Sequence, residues 1–320
     1  QTNTNVLMLS DLVNRSNPLP GNARLLVLGA GYSGRCLARL ARSLGTPVLC
    51  ARRSLDRPDA DLVFDSSEGH LPDSGALKEV THLLSTIPPD QDGIDPVLST
   101  LLPTLKQMPL QWVGYLSTTG VYGDRNGEWV SENDKPDPIL ERSRRRLDCE
   151  HSWQASGLPV QILRLPGIYG PGRSVLNGLR QGSARLIEKP GQVFCRIHVE
   201  DIAGACWHLI KRSAEGQRPA VVNVVDDCPA ATADLLRYAA GLLGCSTPEA
   251  MQFDAIQSTM SAMAQSFWSE NRRVSNRLLT RDLGYKLLHP DYQAGLKDCL
   301  NQDSVTDHDL QTPVPRSASG

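Results

Sequence analysis

Three glycines at the spacing of a phosphate cradle, Gly29, Gly31 and Gly34, stand in the segment Arg24-Leu-Leu-Val-Leu-Gly-Ala-Gly-Tyr-Ser-Gly34. The pattern G-x-G-x-x-G suits a nucleotide diphosphate. Its first glycine permits a tight turn, its second lets the backbone approach a pyrophosphate, and its third lets a helix pack closely on a strand. The phosphates would then lie at the positive N-terminal end of that helix. Tyr32 and Ser33, inside the turn, share the cofactor-binding role. Both flanks agree, with an apolar run from Leu25 before the turn and Cys36-Leu-Ala-Arg-Leu-Ala-Arg-Ser-Leu44 at helical spacing after it.

The kind of dinucleotide is read further along. A fold that prefers NAD carries an acid about 20 residues beyond the glycines, where it accepts the ribose 2′-hydroxyl and repels a 2′-phosphate. Here Leu49-Cys-Ala-Arg-Arg-Ser54 holds no acid. Arg52 and Arg53 stand there instead and suit a 2′-phosphate through charge-assisted pairs, so NADP(H) is expected over NAD(H). Asp65 closes the third apolar run, where a carboxylate meets the adenine amino group. Ser85, Thr86 and Ile87, in Ser85-Thr-Ile-Pro-Pro89, close the fourth and suit the nicotinamide ribose side; this segment and Asp65 each read equally as an ordinary strand-end turn.

Positioning these residues takes an alternation of strands and helices. Strands are expected at 24–29, 47–50, 61–64, 81–86, 111–116 and 159–164, with helices near 32–44, 73–79, 94–107 and 139–156. That order implies an α/β fold, a doubly wound parallel (Rossmann) sheet with right-handed crossovers. Residues 1–22 read as an N-terminal arm and 23–165 as the NAD(P)-binding domain. Residues 166–300 read as a smaller C-terminal α+β substrate lobe, with helices at 199–212, 231–243 and 255–266 interleaved with the sheet's last strands. Residues 301–320 are polar and expected to be disordered.

Composition narrows the function classes. The chain has 320 residues, is 40% hydrophobic and carries a formal charge of −2, which argues against a nucleic-acid or anionic-membrane partner. It holds no apolar run of the ~18 residues a membrane span needs. Eight cysteines, at 36, 50, 149, 195, 206, 228, 245 and 299, show no metal-ligand spacing, and no metal is expected. They read as buried free thiols of a reducing compartment, cytoplasm or a plastid stroma.

From Leu116-Ser-Thr-Thr-Gly-Val-Tyr-Gly-Asp124 onward the sequence resembles the extended short-chain dehydrogenase/reductase family, the NAD(P)-dependent epimerase/dehydratase group that acts largely on nucleotide sugars. Similar segments follow in order: Glu128-Trp-Val-Ser-Glu132, Leu163-Arg-Leu-Pro-Gly-Ile-Tyr-Gly-Pro-Gly-Arg173, Arg196-Ile-His-Val-Glu-Asp201 and Val222-Asn-Val-Val-Asp-Asp227. Arg272-Arg-Val-Ser-Asn276 with Leu283-Gly-Tyr285 closes the series, and the resemblance covers about 24–298.

The resemblance implies a Ser or Thr that holds the substrate oxygen, a Tyr as acid/base, and a Lys four residues after it that lowers the Tyr pKa. Thr118 takes the first place, with Thr119 on the substrate side, but Arg142 falls on the Tyr position and Arg146 on the Lys position. A guanidinium keeps Lys-like charge and cannot replace the phenol, so these arginines are either a phosphate clamp or a solvated helix face. Tyr122 is the family's positional tyrosine and a candidate acid/base. Tyr115, Tyr169 and His198 are weaker candidates, and His198 with Asp201 is expected to brace the C-terminal lobe. Pro166, with Gly167, is implied on the cofactor side and Arg173 on a substrate diphosphate.

Two functions compete at this stage. One is an oxidoreductase or epimerase-like enzyme acting on an anionic or nucleotide-sugar-like small molecule, with a homodimer as the candidate assembly. The other is a catalytically silent NADP(H)-sensing or scaffold protein that keeps the cofactor site. An RNA-binding role, as in some plastid relatives of the superfamily, is disfavoured by the net negative charge.

Overall fold

The computed structural model describes residues 9–311, and side chains to residue 304. Seven parallel strands form the central sheet: β1 (Leu25–Leu28), β2 (Val48–Arg52), β3 (Leu62–Val63), β4 (His82–Ser85), β5 (Trp112–Thr118), β7 (Val160–Leu165) and β11 (Val221–Asn223). Their spatial order is β11-β7-β5-β4-β1-β2-β3. The order reverses between β1 and β4, and a crevice at such a switch point is where open α/β sheets bind ligands.

Alternation along β1 shows why the sheet is covered on both faces. Leu25 and Val27 point into one core with Leu37, Leu40 and Ala41 of α2 (Tyr32–Ser43) and Ala203, Cys206 and Ile210 of α7 (Val199–Ala214). Leu26 and Leu28 point into the other core, with Val97, Leu101 and Leu105 of α4 (Pro96–Gln107) and Trp153 of α5 (Glu141–Gln154). Strands buried on both faces read as continuous apolar runs, which is why the sequence shows them plainly. The remaining early helices are α1 (Ser10–Arg15), inside the stretch expected as an arm, and the single turn α3 (Ser74–Leu77).

The C-terminal lobe is assembled from small pairs. β8 (Gly167–Tyr169) pairs with β10 (Arg196–His198), β9 (Leu186–Glu188) with β12 (Ala250–Gln252), and β6 (Trp129–Val130) with β13 (Arg273–Val274). Helices α6 (Val175–Arg180), α8 (Thr232–Leu243), α9 (Phe253–Ile256) and α10 (Ala262–Trp268) fill the gaps. The expected helix 255–266 is thus two pieces, because Ser261 breaks off and caps α10 through the Ala264 N–H. The disordered tail expected from 301 is corrected in part: α11 (Tyr292–Gln311) runs through residues 301–311, and 312–320 lie outside the described residues. No helix among the described residues is long and apolar enough to cross a membrane.

His198 and Asp201 hold this lobe to the sheet. His198 caps α7 by accepting the Glu200 N–H at Nδ1, and its Nε2 meets Asp298 at 2.9 Å. Asp201 accepts from the Tyr285 hydroxyl and from the backbone N–H groups of Leu288 and His289, at 2.7, 2.7 and 2.8 Å.

Candidate functional site

The glycine turn occupies the β1–α2 junction, and each glycine has its own physical reason. Gly29 has φ +83°, and a Cβ there would stand 2.4 Å from Thr86 Oγ1. A Cβ on Gly34 would meet Val27 at 2.8 Å, so the helix could not sit on the strand. A Cβ on Gly31 would meet nothing within 4 Å, and that space is the mouth of a cavity of about 360 Å³. Tyr32, Ser33, Thr86, Pro88, Leu165 and Pro166 are among its walls. Gly31 is also the N-cap of α2, whose side chains offer no cap, so the first N–H groups of the helix face this space. A pyrophosphate fits the donors present.

Thr86 Oγ1 hydrogen-bonds the Gly29 carbonyl, which locks the turn to the end of β4. Ser85 is fully buried and its hydroxyl oxygen takes the Ile87 N–H; neither Ser85 nor Ile87 is a wall of the cavity. On the other side, the N–H groups of Gly29 and Ala30 both donate to the Ala51 carbonyl at 3.1 Å, which sets Arg52 next to the turn. Arg52 donates from Nη1 to the Pro58 carbonyl at 3.0 Å, and Arg53 is exposed. Asp65 follows β3 and accepts from Ser67, whose hydroxyl holds the carboxyl below its usual range. Arg52, Arg53 and Asp65 stand at neighbouring strand ends outside the walls of this cavity.

A second cavity, of about 630 Å³, adjoins the first, and Thr118, Arg146 and Pro166 are walls of both. β5 ends at Thr118, whose Oγ1 accepts the Gly120 N–H at 3.0 Å and so keeps its own hydrogen available. Arg146, on α5, donates from Nη1 to the Leu116 carbonyl at 2.9 Å, fixing its charge at the seam. Thr119, Ser143, Arg142, Phe194, Arg196, Trp268, Glu270 and Arg272 continue the larger cavity.

No family model matches the chain. A solved structure of a functionally unknown conserved protein from Silicibacter pomeroyi is 40% identical, with 87% of this chain and 98% of that one aligned and a TM-score of 0.78. The chain belongs to the family of that protein. A putative NAD-dependent epimerase/dehydratase from Methylobacillus flagellatus is 27% identical over 87% of this chain and 98% of its own, with a TM-score of 0.67. Two more distant structures share the fold: the human epimerase family protein SDR39U1 with NADPH and the UDP-glucuronic acid 4-epimerase of Bacillus cereus with NAD. They are 19% and 17% identical, over 87% and 88% of this chain and 99% of each of theirs, at TM-scores of 0.65. The Rossmann-like sheet is thus that of the NAD(P)-dependent epimerase/dehydratase proteins.

Within this family frame the structure brings Thr118, Thr119, Arg142, Arg146 and Pro166 together and corrects two sequence-based placements. Tyr122 is fully buried: the 3₁₀ turn Thr119–Tyr122 sends its ring under the Arg164 guanidinium, 4.9 Å away, and its hydroxyl donates to Asn223 Oδ1 at 2.7 Å. It is not an acid/base of the cavity. Arg173 does not reach the larger cavity either. The Gly170–Arg173 turn folds back so that its guanidinium lies 5.3 Å over the Tyr32 ring, on the wall of the glycine-loop cavity. Tyr32 and Asp303 hold that turn, through the Pro171 carbonyl at 3.0 Å and the Gly172 N–H at 2.9 Å.

Beneath the site lies a buried brace. Arg164 pairs with Glu150 at 2.7 Å, and Glu150 also accepts from the Ser117 hydroxyl. Sequence reasoning missed Glu270, Phe194 and Arg196 as cavity residues. Arg196 and Arg272 lay in motif segments but carried no assigned role, and Glu270 had no signal at all.

Proposed function

We propose that the chain is an NADP(H)-dependent oxidoreductase or epimerase-like enzyme of the extended short-chain dehydrogenase/reductase type, acting on an anionic small molecule. The observation that carries this reading is the shared wall of Thr118, Arg146 and Pro166, which sets a ligand of the larger cavity against a ligand of the glycine-loop cavity. Four arginines (142, 146, 196 and 272) against the single carboxylate of Glu270 favour an anionic substrate.

The bound cofactor would supply hydride exchange at its nicotinamide. The glycine turn and the α2 N-terminus would hold its diphosphate, Arg173 and Arg146 would flank it, and Arg52 with Arg53 would receive the 2′-phosphate. Thr118 would donate its free hydrogen to the substrate oxygen and orient it. Arg146 supplies the positive charge of the usual lysine, held in place by the Leu116 carbonyl.

Calorimetry with NADPH and NADH tests the cofactor choice. Tighter binding of NADPH is expected, and Arg52→Ala with Arg53→Ala should remove the preference, since charge-assisted pairs contribute about 1.5–3 kcal/mol. Equal affinities in the parent would overturn it. Incubation with anionic metabolites, read by the absorbance of the reduced nicotinamide for an oxidoreductase and by stereochemical analysis of the metabolite for an epimerase, separates the enzyme from a silent NADP(H) sensor, which binds without turnover.

A further inference from the structure

One arginine in the wall of the larger cavity lacks what a buried arginine normally has, an anion. Arg272 is neutralised by Glu270 at 2.7 Å, Arg142 reaches out to Ser266, and Arg146 belongs to the seam with the glycine-loop cavity. Arg196 is partly buried and makes no ion pair among the described residues. Burial draws its guanidinium below the ordinary arginine pKa, yet an arginine keeps its charge at any working pH. Asp226, the carboxyl that acts on it most, is itself pushed up to about 8 by burial and holds its proton at neutral pH. An unpaired charge in a protein wall is costly until a ligand completes it.

Arg196 offers a defined edge. Its Nη1 donates to the Phe194 and Ala230 carbonyls, both at 3.0 Å, which fixes the plane of the guanidinium. Nε and Nη2 make no hydrogen bond among the described residues, and neither is sealed off from solvent. These two N–H groups run side by side and match the two oxygens of one carboxylate. Sheet register keeps the residue close to Thr118. Thr118 pairs with Leu165 between β5 and β7, and Arg196 pairs with Gly167 between β8 and β10, so Pro166 alone separates their partners. Paired strands lie about 4.8 Å apart, an interval that a small molecule spans. Beside Arg196 the wall turns aromatic. Phe194 meets Trp268 edge-on with ring centroids 5.3 Å apart, and Lys189 Nζ holds the Trp268 carbonyl at 2.6 Å.

We infer that Arg196 is the specificity-determining anchor of the larger cavity, and that its ligand is a carboxylate on an aromatic body, with the ring against Phe194 and Trp268. The inference deepens the proposed function and rests on it for the place of the cofactor. The carboxylate lies on Nε and Nη2, and the rest of the molecule extends toward Pro166 and Thr118. A carboxylate is satisfied by that edge alone, whereas a phosphate carries a third oxygen and further charge for which Arg196 has no donor left.

Calorimetry on the NADP+-saturated protein tests this with benzoate, cinnamate and indole-3-acetate as probes, against cinnamamide and phenyl phosphate. At least one of the three carboxylates should bind the parent, and cinnamamide should not. Arg196→Gln should weaken carboxylate binding by about tenfold or more. Arg196→Lys should lose affinity too, because an ammonium presents no two-donor edge, and it stands in if the glutamine variant does not fold. NADP+ affinity should be unchanged in both variants, since Arg196 is not a wall of the glycine-loop cavity, and thermal unfolding of each accompanies the binding. A parent that binds NADP+ but none of the carboxylates, or binds cinnamamide as well, or prefers phenyl phosphate, would overturn the inference alone. Equal carboxylate affinities in parent and variants would do the same. Absence of binding by any nicotinamide dinucleotide would overturn the proposed function first and the inference with it.

Discussion

Arg142 Nη1 donates to Ser266 Oγ at 2.9 Å, and the same guanidinium lies 4.9 Å over the Phe267 ring. The residue at the tyrosine's place therefore ties α5 to α10 across the larger cavity. Arg146, one turn later, lines both cavities. Arg146→Ala is expected to weaken NADPH binding about tenfold, the worth of one charge-assisted contact, while Arg142→Ala leaves it unchanged. Arg142→Tyr combined with Arg146→Lys should also bind NADPH less well than the parent. Calorimetry on the three variants checks this, and an equal loss from both single changes would contradict the placement.

Gly29 and Gly31 should respond in opposite ways. Gly29→Ala meets φ +83° and Thr86 Oγ1 at 2.4 Å, so it should lower stability by about 1–3 kcal/mol in a denaturant titration. Gly31→Val meets open space and should leave stability unchanged while abolishing NADPH binding. Retained binding in Gly31→Val would move the phosphate site elsewhere.

The side chains of Glu150 and Arg164 are 1% and 5% exposed. Glu150→Gln removes the partner of a buried guanidinium and is expected to cost about 3–5 kcal/mol, lowering Tm by roughly 10 °C. Glu141→Gln breaks the surface pairs with Arg144 and Arg145 and should change stability by less than about 0.5 kcal/mol. Thermal unfolding of both variants gives the comparison.

Burial pushes the His82 imidazole down to about 4. Its folded pKa lies below the unfolded value of about 6.5, so the unfolded chain takes up the proton first as pH falls. His82 therefore supports stability above about pH 6.5, and that support is lost between about pH 6.5 and pH 4. The loss approaches 3 kcal/mol as an order of magnitude, from about 1.4 kcal/mol per pKa unit. Urea titrations of the parent and His82→Gln across this window should show the parent losing more. Parallel losses would contradict the assignment.

The strands and the cofactor turn were readable because each is a local pattern. Leu25–Leu28 is a short apolar run bounded by breakers, His82–Ser85 and Val160–Leu165 carry apolar pairs among the polar His82, Ser85, Gln161 and Arg164, and the three glycines sit at fixed offsets from the first strand. The substrate cavity was less readable because its walls come from distant segments. Glu270 precedes a two-residue strand that has no periodicity of its own, and it reaches the cavity only because β13 pairs with β6. Tyr122 and Arg173 show a different limit. Motif spacing gave their positions along the chain, but the 3₁₀ turn and the fold-back onto Tyr32 decided where their side chains point.

Asp303 reaches back to the Gly172 N–H at 2.9 Å and to Arg180 at 2.8 Å, so a residue of the last described helix holds the loop that carries Arg173. Vectorial synthesis gives this tether a consequence. Six of the sheet's strands, the glycine turn and Thr118 all leave the ribosome before residue 172, while Asp303 follows much later. A nascent chain thus possesses its scaffold before one side of its nucleotide cleft is fastened. Because a ligand stabilises whichever state it binds, a nicotinamide dinucleotide held in that cleft as proposed would favour the docked position of α11, the last described helix, and act as a late folding partner.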